Sequence, residues 1–454
     1  MKQKIKNSNA LKTISIGLVT LVLFSCKKEI SNTGPVGLAG DTQGLALADK
    51  KENAAVALDW YKLQLRFLLE RNSTINSAFY GYIGIGLYES VRYGVKNSVS
   101  FSSRLYQMPE MPAKENNNGY SWQVSANAAM ASMVRSLNTG LTAANKASID
   151  SLENAYNNSL SPAIGSTVFE RSQTYGRAIA TAMYNWYKTD NINLGNAGYV
   201  PPVFPGAWVP TPPAFASPIM PYVSAARPFL AVDLAGVSPA PLYAYSEVPG
   251  SDFYNMVKNV YDVSKTLTDA QKSTALFWVD QGNTTGFTPG GHDLSLEVQA
   301  LETAHANLYL AAEVFAKAGI AEREAIIVGF RSKYTYNLIR PVSYIRKVID
   351  ATWSSFIPTP PHPEYPAAHA FVTGSAMQAV TEVLGDNLAF VDHTYDFRGI
   401  SGLTARPYSS LNKAAEEAGF SRLYGGIHYV PSINAGLVLG RQLGSRAGKI
   451  NLTQ

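Results

Sequence analysis

The spacing of apolar residues predicts a chain that is almost entirely α-helical. Apolar side chains recur at three- and four-residue steps, the period of a helix with one buried face, whereas the β-branched alternation that marks strands is scarce. In the first half of the chain the predicted helices cover Ala55 to Leu69, Ala78 to Tyr93, Trp122 to Leu137, Ala147 to Ser159 and Thr167 to Lys188.

The second half continues the helical pattern. Thr268 has the side chain of an N-terminal cap and precedes a predicted helix from Ala270 to Asp280. A long amphipathic run from Leu294 to Ala318 is expected to end at Gly319, and a further helix from Ala321 to Ile339 follows directly. The expected fold is therefore all-α, a large helical bundle.

One long excursion interrupts the helices between residues 195 and 250. Prolines crowd it, as in Val200-Pro201-Pro202 and Pro210-Thr211-Pro212-Pro213, and proline cannot continue a helix. Its aromatic residues favour a loop packed onto the helical body, and they are Tyr199, Phe204, Trp208, Phe215 and Tyr222. A simple connector is the alternative.

The N-terminus has the pattern of a signal peptide. Four lysines, at positions 2, 4, 6 and 12, precede an apolar run from Ile14 to Phe24 that is too short to span a bilayer. The run ends in Leu23-Phe24-Ser25-Cys26, which resembles a bacterial lipobox and implies cleavage before Cys26 and acylation of its thiol. In the alternative, an ordinary signal peptide, the cysteine is incidental.

These features predict the domain organisation. Residues 1–25 form the signal peptide, residues 26–53 the lipidated cysteine with a flexible tether, and residues 54–450 a single helical domain. That domain comprises N-terminal helices with the Pro-rich loop (54–250) and the helices of a pocket (251–450). The predicted location is the cell envelope, as an outer-membrane lipoprotein facing the periplasm or the surface.

Composition narrows the function classes. Cys26 is the only cysteine, so the fold has no intramolecular disulfide, and no later stretch offers about 18 uncharged apolar residues. We therefore expect membrane contact through the lipid anchor only. The net charge of +5 is dispersed and partly lies in the signal peptide, which argues against nucleic acid. The oligomeric state does not follow from the sequence.

Three separated segments carry the candidate chemistry. The first runs from Lys333 to Pro341 and places Lys333 and Arg340 seven residues apart, which predicts that both side chains leave one helix face. The second, Pro363-Glu364-Tyr365-Pro366-Ala367-Ala368-His369-Ala370, places Pro366 at the expected start of a helix running to about Leu384, whose free N–H groups favour an anion. The third, Ser421-Arg422-Leu423-Tyr424-Gly425-Gly426-Ile427-His428, precedes a last helix opened by Pro431.

In this order and spacing the three segments resemble the signature of the vanadium-dependent haloperoxidase and type 2 phosphatidic acid phosphatase superfamily, in its soluble bacterial haloperoxidase-like branch. Softer likeness reaches upstream to Pro289-Gly290-Gly291-His292, to 208–213 and to 83–89. The resemblance implies the helical fold of that superfamily and one pocket for an oxyanion. It implies vanadate as the cofactor, or none in a phosphate-binding relative.

The resemblance also implies residue roles. Lys333, Arg340 and Arg422 would bind the oxyanion through charged donors, with backbone donors at Ala368 and Gly426. His428 would contact the central atom, as the vanadium ligand in a haloperoxidase or the nucleophile in a phosphatase. His369 would be the acid–base group, and Lys333 would polarise bound peroxide for attack by halide.

Two positions depart from the family pattern. Ala367-Ala368 stands where Ser-Gly is usual before the histidine, so a hydroxyl donor is lost. Ser432 stands four residues after His428, where the family usually has an aspartate that orients the ring, so no charge reaches His428 from that position. These departures leave an inactive or binding-type lipoprotein as an alternative.

His362, Phe330 and His292 are the candidates for the pocket rim, and a histidine at 362 is closer to bromide-oxidising members of the family. A plain loop histidine is the alternative for His362. The leading hypothesis is a haloperoxidase that acts on hydrogen peroxide, a halide and an organic acceptor. The first alternative is an acid phosphatase acting on a phosphomonoester or lipid phosphate in the same pocket.

Overall fold

Helices account for nearly all the regular structure of the part of the chain that the computed structural model describes, residues 52–70, 78–116, 119–138, 140–192, 194–230, 237–280, 286–400 and 403–454. The helices of the first half are α1 (Ala55–Glu70), α2 (Ala78–Val91), α3 (Trp122–Leu137), α4 (Ala143–Leu160) and α5 (Ser166–Tyr187). Those of the second half are α6 (Asp252–Lys265), α7 (Asp269–Phe277), α8 (Pro289–Thr303), α9 (Leu308–Tyr336), α10 (Pro341–Val348), α11 (Ala368–Leu384), α12 (Leu411–Tyr424) and α13 (Val430–Gly448). Two short antiparallel strands, β1 (Phe390–Asp392) and β2 (Arg406–Tyr408), pair with Phe390 opposite Tyr408.

The predicted all-α class is confirmed, and the helix starts show its local causes. Ser, Thr or Asn side chains accept hydrogen bonds from the first turns of seven helices, α3, α4, α6, α7, α8, α9 and α12. The predicted cap at Thr268 is present, and it forms a reciprocal capping box with Gln271. Helix α7 then ends at Phe277, three residues before the predicted end.

Helix α9 is the central element, and the predicted break at Gly319 is wrong. The chain turns between α8 and α9, at Ala304 to Asn307, and α9 then runs unbroken through Gly319. A Cβ atom on Gly319 would lie 2.7 Å from the backbone nitrogen of Gly81, closer than real Cβ contacts occur. The glycine therefore permits close packing of α2 on α9 and does not end the helix.

Helices α11 and α13 form the closest pair in the C-terminal half. Four glycines at four-residue intervals line the α13 face towards α11, namely Gly436, Gly440, Gly444 and Gly448. A Cβ atom added to the second would lie 2.6 Å from the carbonyl oxygen of Phe371, and one added to the third would lie 2.3 Å from that of Ser375. This close approach places the segment before α13, with His428, against the first turn of α11, with His369.

The Pro-rich excursion is attached to the chain between α9 and α11. The backbone N–H of Trp208 donates to the carbonyl of Asn337 over 2.6 Å, and the N–H of Ile219 donates to that of Pro361 over 3.0 Å. Trp208 is completely buried, whereas the Phe215 side chain is 63% exposed. The expected packing of aromatic residues onto the body thus holds for Trp208 and not for Phe215.

The predicted signal peptide, Cys26 and nearly all of the tether lie outside the described residues. Within the described ranges, no helix combines the length and apolar character that crossing a bilayer requires.

Candidate active site

Arg340 does not share a helix with Lys333, so that expectation is wrong. Helix α9 ends at Tyr336 because Asn337 adopts a left-handed backbone, with φ 44°. Arg340 then lies in extended backbone, with φ −78° and ψ 152°, directly before Pro341. The two cations reach one interior region by a turn of the chain and not by helical periodicity.

Lys333 is fully buried, and its ammonium group donates to three backbone carbonyls of the middle segment. The acceptors are Pro363 at 3.0 Å, Glu364 at 3.0 Å and Pro366 at 2.5 Å. Burial, with a smaller contribution from Arg340, holds the pKa of Lys333 well below its usual range. Because all three N–H donors have carbonyl partners, Lys333 must exchange one of them to bind an oxyanion.

The Arg340 guanidinium joins the three segments. Its Nε donates to the carbonyl of His362 over 2.9 Å, and its Nη1 donates to the carbonyl of Ile427 over 2.9 Å. Nη1 also lies 3.1 Å from Nε2 of His428, and Nη2 lies 3.0 Å from Nδ1 of His362. Arginine only donates, so Nε2 of His428 acts as an acceptor and carries a lone pair, whereas Nδ1 of His362 also lies 3.1 Å from the carbonyl of Pro363.

His428 therefore has a defined tautomer. Its Nδ1 lies 2.7 Å from Oε1 of Glu364, a completely buried carboxylate that also accepts from the N–H of Tyr429 over 3.0 Å. Because Nε2 accepts from Arg340, the proton sits on Nδ1 and is donated to Glu364. Ser432 brings no charge to His428, and Glu364, from the middle segment, orients the ring in its place.

His369 lies between a cation and an anion. Its Nε2 is 3.1 Å from Nη1 of Arg422 and 3.5 Å from Oδ2 of Asp280. Burial, reinforced by Arg422 and opposed by Asp280, lowers the pKa of His369 to about 4. The ring is thus neutral near pH 7 in the protein alone, and any group that offsets the charge of Arg422 will raise its proton affinity.

The first turn of α11 supplies backbone donors. The helix begins at Ala368, so the expected start at Pro366 is wrong, and among the described residues no acceptor faces the N–H groups of Ala368 and His369. Gly426, by contrast, donates its N–H to the carbonyl of Leu423 over 2.9 Å. The expected backbone donor at Gly426 is therefore already engaged, and the donor at Ala368 remains available.

The three rim candidates lie in different places. His362 and Phe330 are in contact, with ring centroids 5.3 Å apart, and Arg340 places His362 beside His428. His292 is completely buried and contacts both carboxyl oxygens of Asp280, one of which also faces His369, so the expected place of His292 at a pocket mouth is wrong.

Sequence reasoning missed Glu364 and Asp280. Glu364 did carry a signal, because it is the one acidic residue of the middle segment and lies between two of its prolines, Pro363 and Pro366. Asp280 follows a helix end and has no distinguishing pattern. Only the folded structure brings it to His369.

The electrostatics of the site favour a bound anion. Burial lowers the pKa of Arg340 and of Arg422 to about 10, while burial raises the pKa of Glu364 to about 7. The buried cations thus outweigh the buried negative charge that faces them. Over the described residues no three His, Cys, Asp or Glu side chains are arranged to hold a metal ion. The arginines and the His428 lone pair are donors of the kind that hold an oxyanion.

Comparison with known proteins agrees with this geometry. The model of the VCPO second helical-bundle domain matches residues 313–452, from within α9 to beyond α13. A comparison with curated proteins finds no match.

Solved structures match over most of the chain. The structure described as the first bacterial vanadium-dependent iodoperoxidase is 28% identical, with a TM-score of 0.80, over 89% of this chain and 98% of that one. Holo- and apo-type bacterial vanadium-dependent chloroperoxidase structures are 17% and 16% identical, with TM-scores of 0.61 and 0.60. They cover 82% and 83% of this chain and 90% and 92% of their own, and at that identity they support the fold alone. The helical fold and the matched C-terminal bundle support placing the chain in the vanadium haloperoxidase superfamily.

Proposed function

We propose that this protein is a vanadate-dependent haloperoxidase that oxidises halide with hydrogen peroxide and delivers the oxidised halogen to an organic acceptor. The observation that carries the proposal is the state of His428. Its Nε2 lone pair faces a buried cationic group, and its Nδ1 proton is held by Glu364. The structural relatives are vanadium haloperoxidases, which are oxidoreductases.

The residues present fit vanadate. Nε2 of His428 is the available ligand atom, Arg340 and Arg422 are charged donors, and the N–H of Ala368 is a neutral donor without an acceptor among the described residues. Bound vanadate would supply the Lewis-acid centre at which hydrogen peroxide becomes an oxidant of halide. Arg340 would give up its contact with His428 Nε2 and donate to an oxyanion oxygen, and Glu364 would keep the ring in place.

His369 is proposed to move the proton. In the protein alone its pKa of about 4 leaves Nε2 unprotonated and next to Arg422. Once the charge of Arg422 is offset, Asp280 raises the proton affinity of the neutral ring, so His369 can take a proton from hydrogen peroxide and pass it to the oxygen atom that leaves as water. The burial of the site excludes bulk water from this exchange.

His362 is proposed to influence halide choice. Burial, with Lys333 and Arg340 nearby, holds its pKa well below the usual range, so the ring stays neutral. Its contact with Phe330 gives one side of the site an apolar surface suited to a large, polarisable halide. We propose bromide and iodide as the substrates to compare, the second because the 28%-identical relative is an iodoperoxidase.

One observation also favours phosphatase chemistry in the same site. A histidine that attacks phosphorus needs a partner that raises its basicity, and Glu364 provides one at 2.7 Å. The serine at position 432 therefore does not argue against a phosphohistidine mechanism.

The deciding experiment uses protein that begins after Cys26. One sample receives vanadate, hydrogen peroxide and bromide or iodide, and halogenation of a phenolic dye is followed; a second receives an aryl phosphate without vanadate. Halogenation that is lost in H428A and kept in E416Q, a carboxylate change on the surface of α12, supports the haloperoxidase. Phosphate release that is lost in H428A and kept in E416Q supports the phosphatase. If the protein shows neither activity, the inactive or binding-type lipoprotein is the remaining alternative.

We also propose that Cys26 anchors the mature chain to the cell envelope. The supporting pattern is the apolar run that ends in Leu23-Phe24-Ser25-Cys26. Detergent phase partition of the protein made in a bacterial host tests the point: wild type should enter the detergent phase, and C26A should not. Equal partition of the two into the aqueous phase would rule out the anchor.

A further inference from the structure

His292, a fourth buried histidine, is fixed between the carboxylates of Asp280 and Asp392 next to His369. It contacts neither His428 nor the three cations of the site. His292 Nδ1 lies 3.1 Å and 3.2 Å from the two carboxyl oxygens of Asp280, and its Nε2 lies 2.9 Å from Oδ2 of Asp392. All three side chains have no exposed surface. A carboxylate accepts only, so both ring nitrogens must carry protons, and the ring is an imidazolium ion.

Aromatic side chains hold this ring in place. The indole of Trp278 stacks on it, with centroids 4.2 Å apart and planes 20° apart, and the edges of Phe277 and Tyr395 lie at 5.5 Å and 5.1 Å. The face of an indole attracts a cation, so the packing agrees with a positive charge on His292. The flanking carboxylates raise the pKa of His292 to about 10, against the effect of burial.

Asp280 connects this ion to the proposed acid–base group. The oxygen Oδ2 of Asp280 lies 3.5 Å from Nε2 of His369, and the hydroxyl of Tyr395 donates to its Oδ1. Asp280 also has a left-handed backbone, with φ 37°, which is uncommon for a residue other than glycine. The chain therefore adopts an unfavourable local geometry at the residue that joins His292 to His369.

We propose that His292 is a positioning residue: as a permanent imidazolium ion held by Asp280 and Asp392, it keeps Asp280 ionised and directed at His369. The proton affinity of His369 is then set by Asp280 on one side and Arg422 on the other. The inference rests on the proposed function in one respect, since it takes His369 to be the acid–base group.

The charged groups around His369 fix the sign of the effect. Arg422 lowers its pKa most after burial, Asp280 raises it through a hydrogen bond and through charge, and His292 lowers it less. Replacing His292 by glutamine removes that weak repulsion. It also removes the imidazolium ion that faces Asp280, so that the pKa of this buried carboxyl rises and both attractions on His369 weaken. The net change is a fall in the pKa of His369.

The first test measures the charge of His292 in the ligand-free protein by ¹⁵N NMR of the histidine side chains. Nitrogen shifts of a doubly protonated ring should persist from pH 5 to at least pH 8 at His292. A neutral His292 ring at pH 7 would overturn the proposal.

The second test follows the titration of His369 in protein saturated with inorganic phosphate. H292Q should lower the pKa of His369 by about one unit, and the surface variant E416Q should leave it unchanged. The same pKa in H292Q and wild type would overturn the proposal. If H292Q does not fold, D392N is the alternative, because it retains the His292 ring. D392N should lower the pKa of His292 and, through Asp280, the pKa of His369. An unchanged pKa at both histidines would contradict the proposal.

The two proposals fail in different ways. Absence of phosphate and vanadate binding, or of both activities, would contradict the proposed function. The charge of His292 is measured without any ligand, so it is decided independently of that result.

Discussion

His428 and Glu364 are 64 residues apart in the sequence and 2.7 Å apart in the structure. The carboxylate fixes which ring nitrogen carries the proton, and its negative charge raises the basicity of the nitrogen that faces Arg340. Burial and the neighbouring cations hold the pKa of His428 well below its usual range, so the lone pair is kept free over the whole physiological range. At the scale of a residue, the chemistry of the site thus depends on one buried carboxylate.

Removal of that carboxylate should weaken oxyanion binding. We expect E364A to lower the affinity for vanadate roughly 10- to 100-fold, the usual effect of removing a partner of a metal-binding histidine, and to lower halogenation in parallel. E364Q keeps an acceptor for His428 and should have the smaller effect. Isothermal titration calorimetry with vanadate and with phosphate measures both.

A double variant makes this prediction specific. In E364A/S432D a carboxylate stands at the position where the resemblance places the orienting aspartate, so part of the lost affinity should return. E416Q is the matched control for a loss of negative charge elsewhere and should bind as wild type does. An E364A protein with unchanged affinity, or one that S432D fails to improve, would contradict the role given to Glu364.

At the scale of elements, the paired helices α11 and α13 bring the two site histidines together. The first turn of α11 carries His369, and α13 begins two residues after His428. Small residues at four-residue spacing let two helix backbones approach closely, and the glycines of α13 contact backbone atoms of α11. The distance between the two histidines therefore depends on the glycines of α13, which have no side chain to hold the two helices apart.

A methyl group at Gly440 should separate these helices. Its Cβ atom would lie 2.6 Å from the carbonyl oxygen of Phe371 and 2.9 Å from the nitrogen of Ser375, and backbone atoms cannot move aside. We expect G440A to lower the free energy of unfolding by roughly 1–3 kcal/mol, as overpacking does, and to reduce vanadate affinity. Chemical denaturation and calorimetry measure the two effects.

Gly374 offers the matched control on the partner helix. A Cβ atom there would approach nothing closer than 3.8 Å, so G374A adds the same methyl group where space exists. Because alanine favours a helix over glycine, G374A should be neutral or more stable by up to about 1 kcal/mol. Equal losses in G374A and G440A would show that the close approach of α11 and α13 does not matter.

The sequence predicted elements better than the connections between them. Helix α3 begins and ends where periodicity placed it, and the ends of α1 and α5 differ by one residue, because amphipathic spacing and caps are local signals. The end of α9 was misplaced because Asn337 takes a left-handed backbone, which nothing in its neighbourhood indicated. The charged residues of the site were visible in three motifs, but their hydrogen bonds, including those of Lys333 and Gly426, depend on turns that the sequence does not specify.

At the scale of the whole molecule, the site places more positive than negative charge in the interior. Lys333, Arg340 and Arg422 are each at most 1% exposed, and burial lowers the pKa of all three. Taking cations out of water disfavours the folded state unless negative charge meets them. The buried cations of the site therefore lower the free energy of unfolding of the ligand-free protein. The packing of α9, α11 and α13 around the site offsets this loss.

An oxyanion should therefore stabilise the entire fold. A ligand that binds only the folded state adds RT ln(1 + [L]/Kd), about 2.7 kcal/mol at one hundred times the dissociation constant, so the melting temperature should rise steadily with vanadate or phosphate. Differential scanning calorimetry across a concentration series measures the rise.

The variant R422M removes one buried cation and replaces it with an apolar side chain of similar length. It should therefore be as stable as wild type, or more stable, without anion, and its melting temperature should rise much less when the anion is added. Sodium chloride at matched ionic strength controls for general screening, because chloride lacks the oxygen atoms that the two arginines and the N–H of Ala368 would bind. A melting temperature that responds equally to chloride and to vanadate, or a full response in R422M, would mean that the buried cations are not an oxyanion site.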